Sequence, residues 1–395
     1  MDQDVNALRA EWEQPIHIRF GAGRTAELPA LCRAQAMRRP LLVTDPGVAG
    51  LSILREAVAS CAGQGIPVAV FSDTRSNPTL AHAEAGFAAF MAGGHDGLIA
   101  FGGGTAIETA KVIGLLATGI ADPWSSEFGR EQQSPDSTSG APPIIAVPTT
   151  AGSGAEVRSI AMITDPAERR RRVLDHPAML PGAAILDPVL TINLPPALTA
   201  ATGMNALAHN LEAFCAPGFD PMAESNAAEG IRLVRANLPT AVREGHNLSA
   251  RAHMLAAAML GGTAFRRGLG AIQALTDPIA ATTRIHHGLA TAVLTPYVLI
   301  HNRPVIADRI GRLAAYLGLD HPDFDSFLHC LLSLRLELGI PHSLRALGFD
   351  GDRLRAMVDM ALADPFRGTN PRPLEREDIA GIYDRALTGD VGGQG

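Results

Sequence analysis

The hydrophobic rhythm of the chain changes near residue 190. Before that point, short and continuously apolar runs alternate with amphipathic segments. Ile16 to Phe20 alternates and closes on Gly21-Ala-Gly23, which reads as a strand entering a tight turn. Pro40 to Asp45, Pro67 to Phe71, Asp96 to Phe101, Pro143 to Val147 and Ala183 to Pro188 read as further strands. Helical spacing covers 53–62, 80–93 and the stretch from Gly102 through Lys111 to Leu116. Short apolar strands between helices predict a doubly wound α/β domain whose mostly parallel sheet is covered on both faces. Val157 to Thr164 and Arg172 to Leu174 predict a hairpin with Asp165-Pro166 at its tip. A short polar helix is expected at the N-terminus, and the serine- and proline-rich stretch 122–142 reads as a loop.

After Leu190 the apolar positions recur at helical spacing in 196–215, 222–236, 249–265, 271–281, 288–301, 304–316, 324–337, 352–363 and 375–387. The β-branched runs disappear. Two domains are therefore expected, an α/β domain over 1–189 and an all-α domain over 190–395. No repeat at a solenoid period is present.

Composition narrows the function classes. The chain has 395 residues, 47% of them hydrophobic, enough for a large core. A net charge of −7 with no basic stripe argues against a nucleic-acid partner. The one basic cluster, Arg169 to Arg172, reads as a solvated turn. Cys32, Cys61, Cys215 and Cys330 show no Cys-x-x-Cys spacing, which suits a reducing cytosol. No leader segment and no apolar run of membrane-spanning length is found, so a soluble, cytoplasmic protein is expected.

Three glycines, Gly102, Gly103 and Gly104, followed by Thr105, sit between a strand and a helix. Glycines there let backbone amides approach a pyrophosphate at the positive end of the helix. The plainer reading is a tight strand-to-helix turn, and the spacing matches neither Gly-x-Gly-x-x-Gly nor a Walker loop. A second small-residue loop, with Thr149, Thr150 and Ser153, follows another strand. Asp45 ends the strand at 40–45, where a carboxylate can accept from an adenosine ribose or simply form a turn before Pro46-Gly47. In the helical half, Asn205 and His209 are four apart and share a helix face. Gln273, Asp277, His286 and His287 lie between Gly268 and Gly288. Read cold, these are surface polar residues of helices.

Taken together these motifs resemble the iron-containing (group III) alcohol dehydrogenase family. They include Phe20-Gly-Ala-Gly23, Asn77-Pro78, the triple-glycine loop ending in Ala110-Lys111 and Pro148-Thr-Thr-Ala-Gly-Ser-Gly-Ala-Glu156. Thr202-Gly-Met-Asn-Ala-Leu-Ala-His209, Gly268-Leu-Gly270, His287-Gly288 and Thr369-Asn-Pro-Arg-Pro373 carry the resemblance to the end of the chain. It implies the dehydroquinate-synthase-like architecture of a nucleotide-binding α/β domain followed by a helical domain. It also implies hydride transfer between NAD(P) and a small alcohol, aldehyde or keto acid in the crevice between them.

The resemblance implies a metal held by one Asp and three His, at positions that are Asn205, His209, Gln273 and His287 here. Two of the four are neutral amides, so Fe2+ or Zn2+ is expected only if this altered site still binds. A further family histidine corresponds to Asp277. Maleylacetate reductases, which are metal-free relatives, share the Asn–His spacing of Asn205 and His209. The expected activity is thus an NAD-dependent oxidoreductase with a degenerate metal site, NADP being the less favoured dinucleotide. A maleylacetate-reductase-like enzyme and a catalytically silent nucleotide-binding scaffold are the alternatives. A homodimer is permitted, and the sequence does not fix the assembly.

Overall fold

The computed structural model describes residues 16–75, 77–129, 138–168 and 170–391. The helix expected before residue 16 lies outside them, as does the middle of the 122–142 loop. The described chain forms two compact units. One runs up to Leu194 and takes in His246–Leu255; the other comprises Pro195–Gly245 and Ala256 onward.

The first unit runs β1 (His17–Phe20), α1 (Leu28–Ala34), β2 (Leu41–Val43), α2 (Pro46–Ala49), α3 (Ser52–Gly63), β3 (Ala69–Phe71) and α4 (Leu80–Ala92). It continues with β4 (Leu98–Gly102), α5 (Gly104–Ala117), β5 (Ile144–Pro148), β6 (Ile160–Asp165), β7 (Arg170–Asp175) and β8 (Ala183–Leu186). Six strands form one parallel sheet in the order β1-β8-β5-β4-β2-β3. Its central strands β4, β5 and β8 are wholly buried, which is why they read as unbroken apolar runs. Ile99, Phe101, Ile145, Val147 and Ile185 pack on Leu28, Leu31, Leu54 and Cys61 from the helices of one face. The chain leaves β2 outward to β3 and then returns to place β4 on the other side of β2. That reversal opens a crevice at the carboxyl ends of β2 and β4.

Two expectations need correction in this unit. The strand at 40–45 ends at Val43, because Asp45 caps α2, a short helix absent from the sequence reading. The basic cluster is no solvated turn: Arg170, Arg171 and Arg172 lie on β7, antiparallel to β6. Arg172 is buried, its guanidinium 2.7 Å from Glu127 and 3.1 Å from Asp165 and stacked over the Trp124 ring. Distant carboxylates neutralise the charge and so permit its burial.

The second unit is helical. It comprises α6 (Pro196–Cys215), α7 (Pro221–Arg243), α8 (Leu248–Ala264), α9 (Ala271–Thr282), α10 (His287–Tyr316), α11 (Phe324–Glu337), α12 (Leu354–Leu362) and α13 (Arg376–Thr388), the first turns of α8 grouping with the sheet unit. The segments 288–301 and 304–316 are one helix, α10, which runs through Pro296 and Pro304. Each proline removes one ladder bond, and the buried side of α10 holds the helix together across the gap. Every residue of α6 from Gly203 to Cys215 is buried, so its polar side chains face protein on all sides. Among the described residues no helix is long and apolar enough to cross a membrane.

Candidate active site

In the first unit, neighbouring strand ends gather the predicted cofactor residues. Gly102 pairs with Pro148 at the ends of β4 and β5, and the Thr149 amide donates to Gly102 O at 3.0 Å. The triple-glycine loop and the Thr149–Ser153 loop are therefore side by side. Gly102 has φ +153°, and a Cβ there would lie 2.8 Å from the Ala106 methyl. A Cβ on Gly104 would lie 2.9 Å from Ser153 Oγ, so the second loop is seated directly on the helix start. On Gly103 a Cβ would meet nothing closer than Thr150 Oγ1 at 3.4 Å. Gly103 is the N-cap of α5 and offers no side chain, leaving the amides of Gly104, Thr105 and Ala106 at the helix start.

Asp45 joins this group from the N-cap of α2, just beyond β2. Its Oδ1 accepts from the amides of Gly47 at 2.9 Å and Val48 at 3.0 Å, so the turn-forming role is filled. Its Oδ2 faces the triple-glycine loop, 3.3 Å from where a Gly102 Cβ would stand.

Lys111, two turns along α5, moors the second loop. Its Nζ donates to the carbonyls of Ala155 at 2.5 Å, Arg158 at 2.6 Å and Ile160 at 3.0 Å. Burial pushes this ammonium down to about 7, helped by Arg158 and opposed by Glu108 and Glu156. The sequence reading noted Lys111 only as part of a motif. A lysine in an otherwise apolar helix segment was the available signal.

In the second unit, α6, α9 and the start of α10 supply the remaining candidates. Asn205 and His209 stand one turn apart on α6, both buried. The His209 ring meets Phe265 edge-on at 5.9 Å between centroids. Asn205 Oδ1 is buried with no hydrogen-bond partner among the described residues, and so is Gln273 Nε2. An acceptor and a donor left so in a folded interior are costly unless something else meets them.

Gln273, Asp277 and His287 form one connected set. His287 Nε2 is 3.0 Å from Gln273 Oε1, and His287 Nδ1 is 3.5 Å from Asp277 Oδ1. Gln273 and Asp277 are one turn apart on α9, which is why both reach the same ring. An amide oxygen only accepts, so with this amide orientation Nε2 carries the proton. Both ring nitrogens thus face side-chain oxygens, Gln273 Oε1 at one and Asp277 Oδ1 at the other. The His287 side chain retains 22% exposure against 4% for Asp277, making the histidine the accessible end of the set. The preceding His286 is separate: its Nδ1 accepts from the Gly288 amide and caps α10. Among the described residues no group of three or more His, Cys, Asp or Glu side chains is disposed to hold a metal ion.

One buried group escaped the sequence reading. Glu212, three residues beyond His209 on α6, accepts from the amides of Ile272 at 2.6 Å and Gln273 at 3.4 Å. Its signal was the one carboxylate on a helix that has no lysine or arginine.

Comparison with known proteins places this arrangement. Residues 15–188 match the iron-containing alcohol dehydrogenase model, and residues 199–387 match the C-terminal model of the Fe-containing alcohol dehydrogenase family. A 4-hydroxybutyrate dehydrogenase of Cupriavidus necator is 37% identical over 384 residues, covering 94% of this chain and 98% of the relative. The crystal structure of a 1,3-propanediol oxidoreductase superposes with a TM-score of 0.90 at 31% identity, over 96% of this chain and 100% of that one. A sulfoacetaldehyde reductase from Bifidobacterium kashiwanohense in complex with NAD+ gives 0.87 at 26% identity, over 97% and 100%. A maleylacetate reductase from Agrobacterium tumefaciens gives 0.79 at 26%, over 96% and 98%.

Proposed function

Because the chain belongs to the iron-containing alcohol dehydrogenase family, we propose that it is an NAD-dependent dehydrogenase of short alcohols and aldehydes that works without a catalytic metal ion. The substrate class we favour is a terminal hydroxy acid and its aldehyde, of the kind named for the Cupriavidus necator relative. The observation that carries the metal-free reading is the 3.0 Å contact between His287 Nε2 and Gln273 Oε1.

The donor set does not suit a divalent ion. Asn205, His209, Gln273 and His287 offer two imidazoles and two neutral amides, with no carboxylate among them. Amide oxygens are weak, hard donors, and a catalytic zinc site ordinarily has three firm ligands. Here Gln273 Oε1 and His287 Nε2 are turned toward one another. A proton on Nε2 removes the lone pair that a metal would need. Asp277 lies against the other ring nitrogen and supports the imidazolium form.

The same groups suit an oxygen that gains and loses a proton. In aldehyde reduction the carbonyl oxygen develops negative charge as hydride reaches its carbon. His287 then donates its Nε2 proton to that oxygen, and Asp277 stabilises the charged ring beforehand. Gln273 Nε2, buried and without a partner among the described residues, is a second donor for the oxygen. In alcohol oxidation the same ring takes up the hydroxyl proton. NAD, when bound, carries the hydride.

The first unit suits the dinucleotide. The helix-start amides of Gly104, Thr105 and Ala106 match a pyrophosphate, and Gly103 leaves its approach open. Thr149, Thr150 and Ser153 flank that approach, and the free edge of Asp45 suits the adenosine ribose hydroxyls. Oxidation of NADH by a panel of aldehydes and keto acids, after exhaustive chelation, tests the proposal. Aldehyde-dependent turnover that survives chelation is the expected result. Turnover that needs added iron or zinc overturns the metal-free reading, and a response to keto acids alone favours the maleylacetate-reductase type of reaction. No turnover with any acceptor would leave a nucleotide-binding scaffold.

A further inference from the structure

We propose that Glu212 is the positioning residue of the helical site: from α6 it holds the first turn of α9 and thereby sets Gln273 and His287 relative to Asn205 and His209. The inference rests on the dehydrogenase reading above for its kinetic consequence and on geometry alone for its structural one.

A helix start leaves its first amides without partners inside the helix, and several helices here supply a local cap. Asp220 caps α7 and Asp323 caps α11 in this way. At α9 the N-cap is Gly270, which has no side chain to offer. A Cβ on Gly270 would stand 2.9 Å from Asn370 Oδ1 and 3.0 Å from Glu212 Oε1. The local cap has been replaced by two remote ones. Glu212 Oε1 takes the Ile272 and Gln273 amides, and Asn370 Oδ1 takes the Ala271 amide at 3.1 Å. The Ala274 amide is the first to find a backbone partner, Gly270 O at 3.1 Å.

This cap lies directly on the chemistry. The amide that Glu212 holds at 3.4 Å belongs to Gln273, whose side chain holds His287. Glu212 is itself on the helix of His209, so one carboxylate fixes α9 against the helix that bears the other two candidates. Asn370 is held in turn by reciprocal amide bonds to Asn302 of α10, at 3.0 and 2.8 Å. Burial pushes the Glu212 carboxyl up to about 8, against the pull of the Ile272 and Gln273 amides. The two amides require an acceptor oxygen at this reach, which a glutamine side chain also supplies. Glu212 acts through Gln273 and is a positioning residue, not a catalytic one.

The test uses the full chain with Glu212→Ala, Glu212→Gln and Glu212→Asp. Amide exchange of peptides spanning 269–278, NADH affinity and steady-state kcat and KM are measured for each. In Glu212→Ala the exchange of the α9 start rises and kcat falls, each by about tenfold or more, while NADH affinity stays within about twofold. Glu212→Gln keeps an acceptor oxygen in reach and retains most of kcat. Glu212→Asp keeps the carboxyl group but withdraws the oxygen by one methylene, and falls below Glu212→Gln. Unchanged exchange in Glu212→Ala overturns the inference, and so does raised exchange with unchanged kcat. If Glu212→Ala does not fold, the order of the other two decides: Asp equal to or better than Gln overturns it. Were the wild type inactive on every alcohol and aldehyde, the functional reading would fall, and the exchange comparison would still decide the cap.

Discussion

His287 Nε2 lies 3.0 Å from Gln273 Oε1, so the two residues we assign to ligand positions of the family are bonded to each other. On the proposal made above, an amide stands where the family has an imidazole, and its oxygen accepts from the neighbouring ring. On the same proposal, the charge that an ion would supply is supplied by this ring, with Asp277 at 3.5 Å beside it.

The purified protein should accordingly hold no stoichiometric iron or zinc. Elemental analysis of protein prepared without chelators measures this directly, and about one ion per chain would refute it. Asn205→Asp combined with Gln273→His restores the family's ligand types. That double variant should take up a divalent ion; if it does not, these four positions do not form one cluster.

Asp277→Asn removes the negative partner of the His287 ring. We expect kcat to fall by about a hundredfold with NADH affinity unchanged, the size usual for loss of a tuned proton donor. A fall confined to KM would assign Asp277 to substrate binding instead.

NAD(H) should bind at least about tenfold tighter than NADP(H), because the Asp45 carboxylate would repel a 2′-phosphate. Titration with both reduced dinucleotides checks this. Asp45→Gly should narrow the gap, and equal affinities in the wild type would contradict the placement of the ribose.

Gly103→Val should abolish NADH binding while shifting the melting temperature little. The Gly103 Cβ position is 3.4 Å from its nearest neighbour, whereas the Gly104 position is 2.9 Å from Ser153 Oγ and the Gly102 position 2.8 Å from the Ala106 methyl. Of the three glycines, only Gly103 accepts a side chain without disturbing the fold. Retained binding in this variant would put the dinucleotide elsewhere.

Lys111 should make stability depend on pH. Burial holds its folded pKa at about 7, against 10.5 in the ordinary case. Between these values the unfolded chain keeps the proton and the folded chain releases it, so this group makes stability rise with pH; below about 7 its contribution is level. Relative to Lys111→Met, the wild type should gain up to ~1 kcal/mol per pH unit across that window in urea unfolding. A constant difference between the two proteins would show that Lys111 stays charged in the fold.

Much of this architecture was legible in the pattern of apolar residues. The runs at 98–102 and 144–148 are buried parallel strands because nothing polar interrupts them, and the periodicity at 196–215 and 324–337 marks whole helices. What pattern cannot carry is a partner far away in sequence. Arg172 looked solvated because Glu127, forty-five residues earlier, was not in view. Pro304 separated two predicted segments because the packing that keeps α10 continuous comes from other helices. The family motifs grouped Gln273 with His287, but neither the bond between their side chains nor the tie of the Gln273 amide to a carboxylate on another helix could be read from them.

The Asn370 cap has a consequence for the order of synthesis. The start of α9 is made at residue 271, but the side chain that satisfies its first amide is made 99 residues later. At roughly 5–20 residues per second, that separation takes about 5–20 s during which the growing chain holds the helix without its cap. The reciprocal pair between Asn302 and Asn370 then closes the loop from the far end. A nascent chain halted before residue 370 would carry every side chain proposed for catalysis and still lack the finished site.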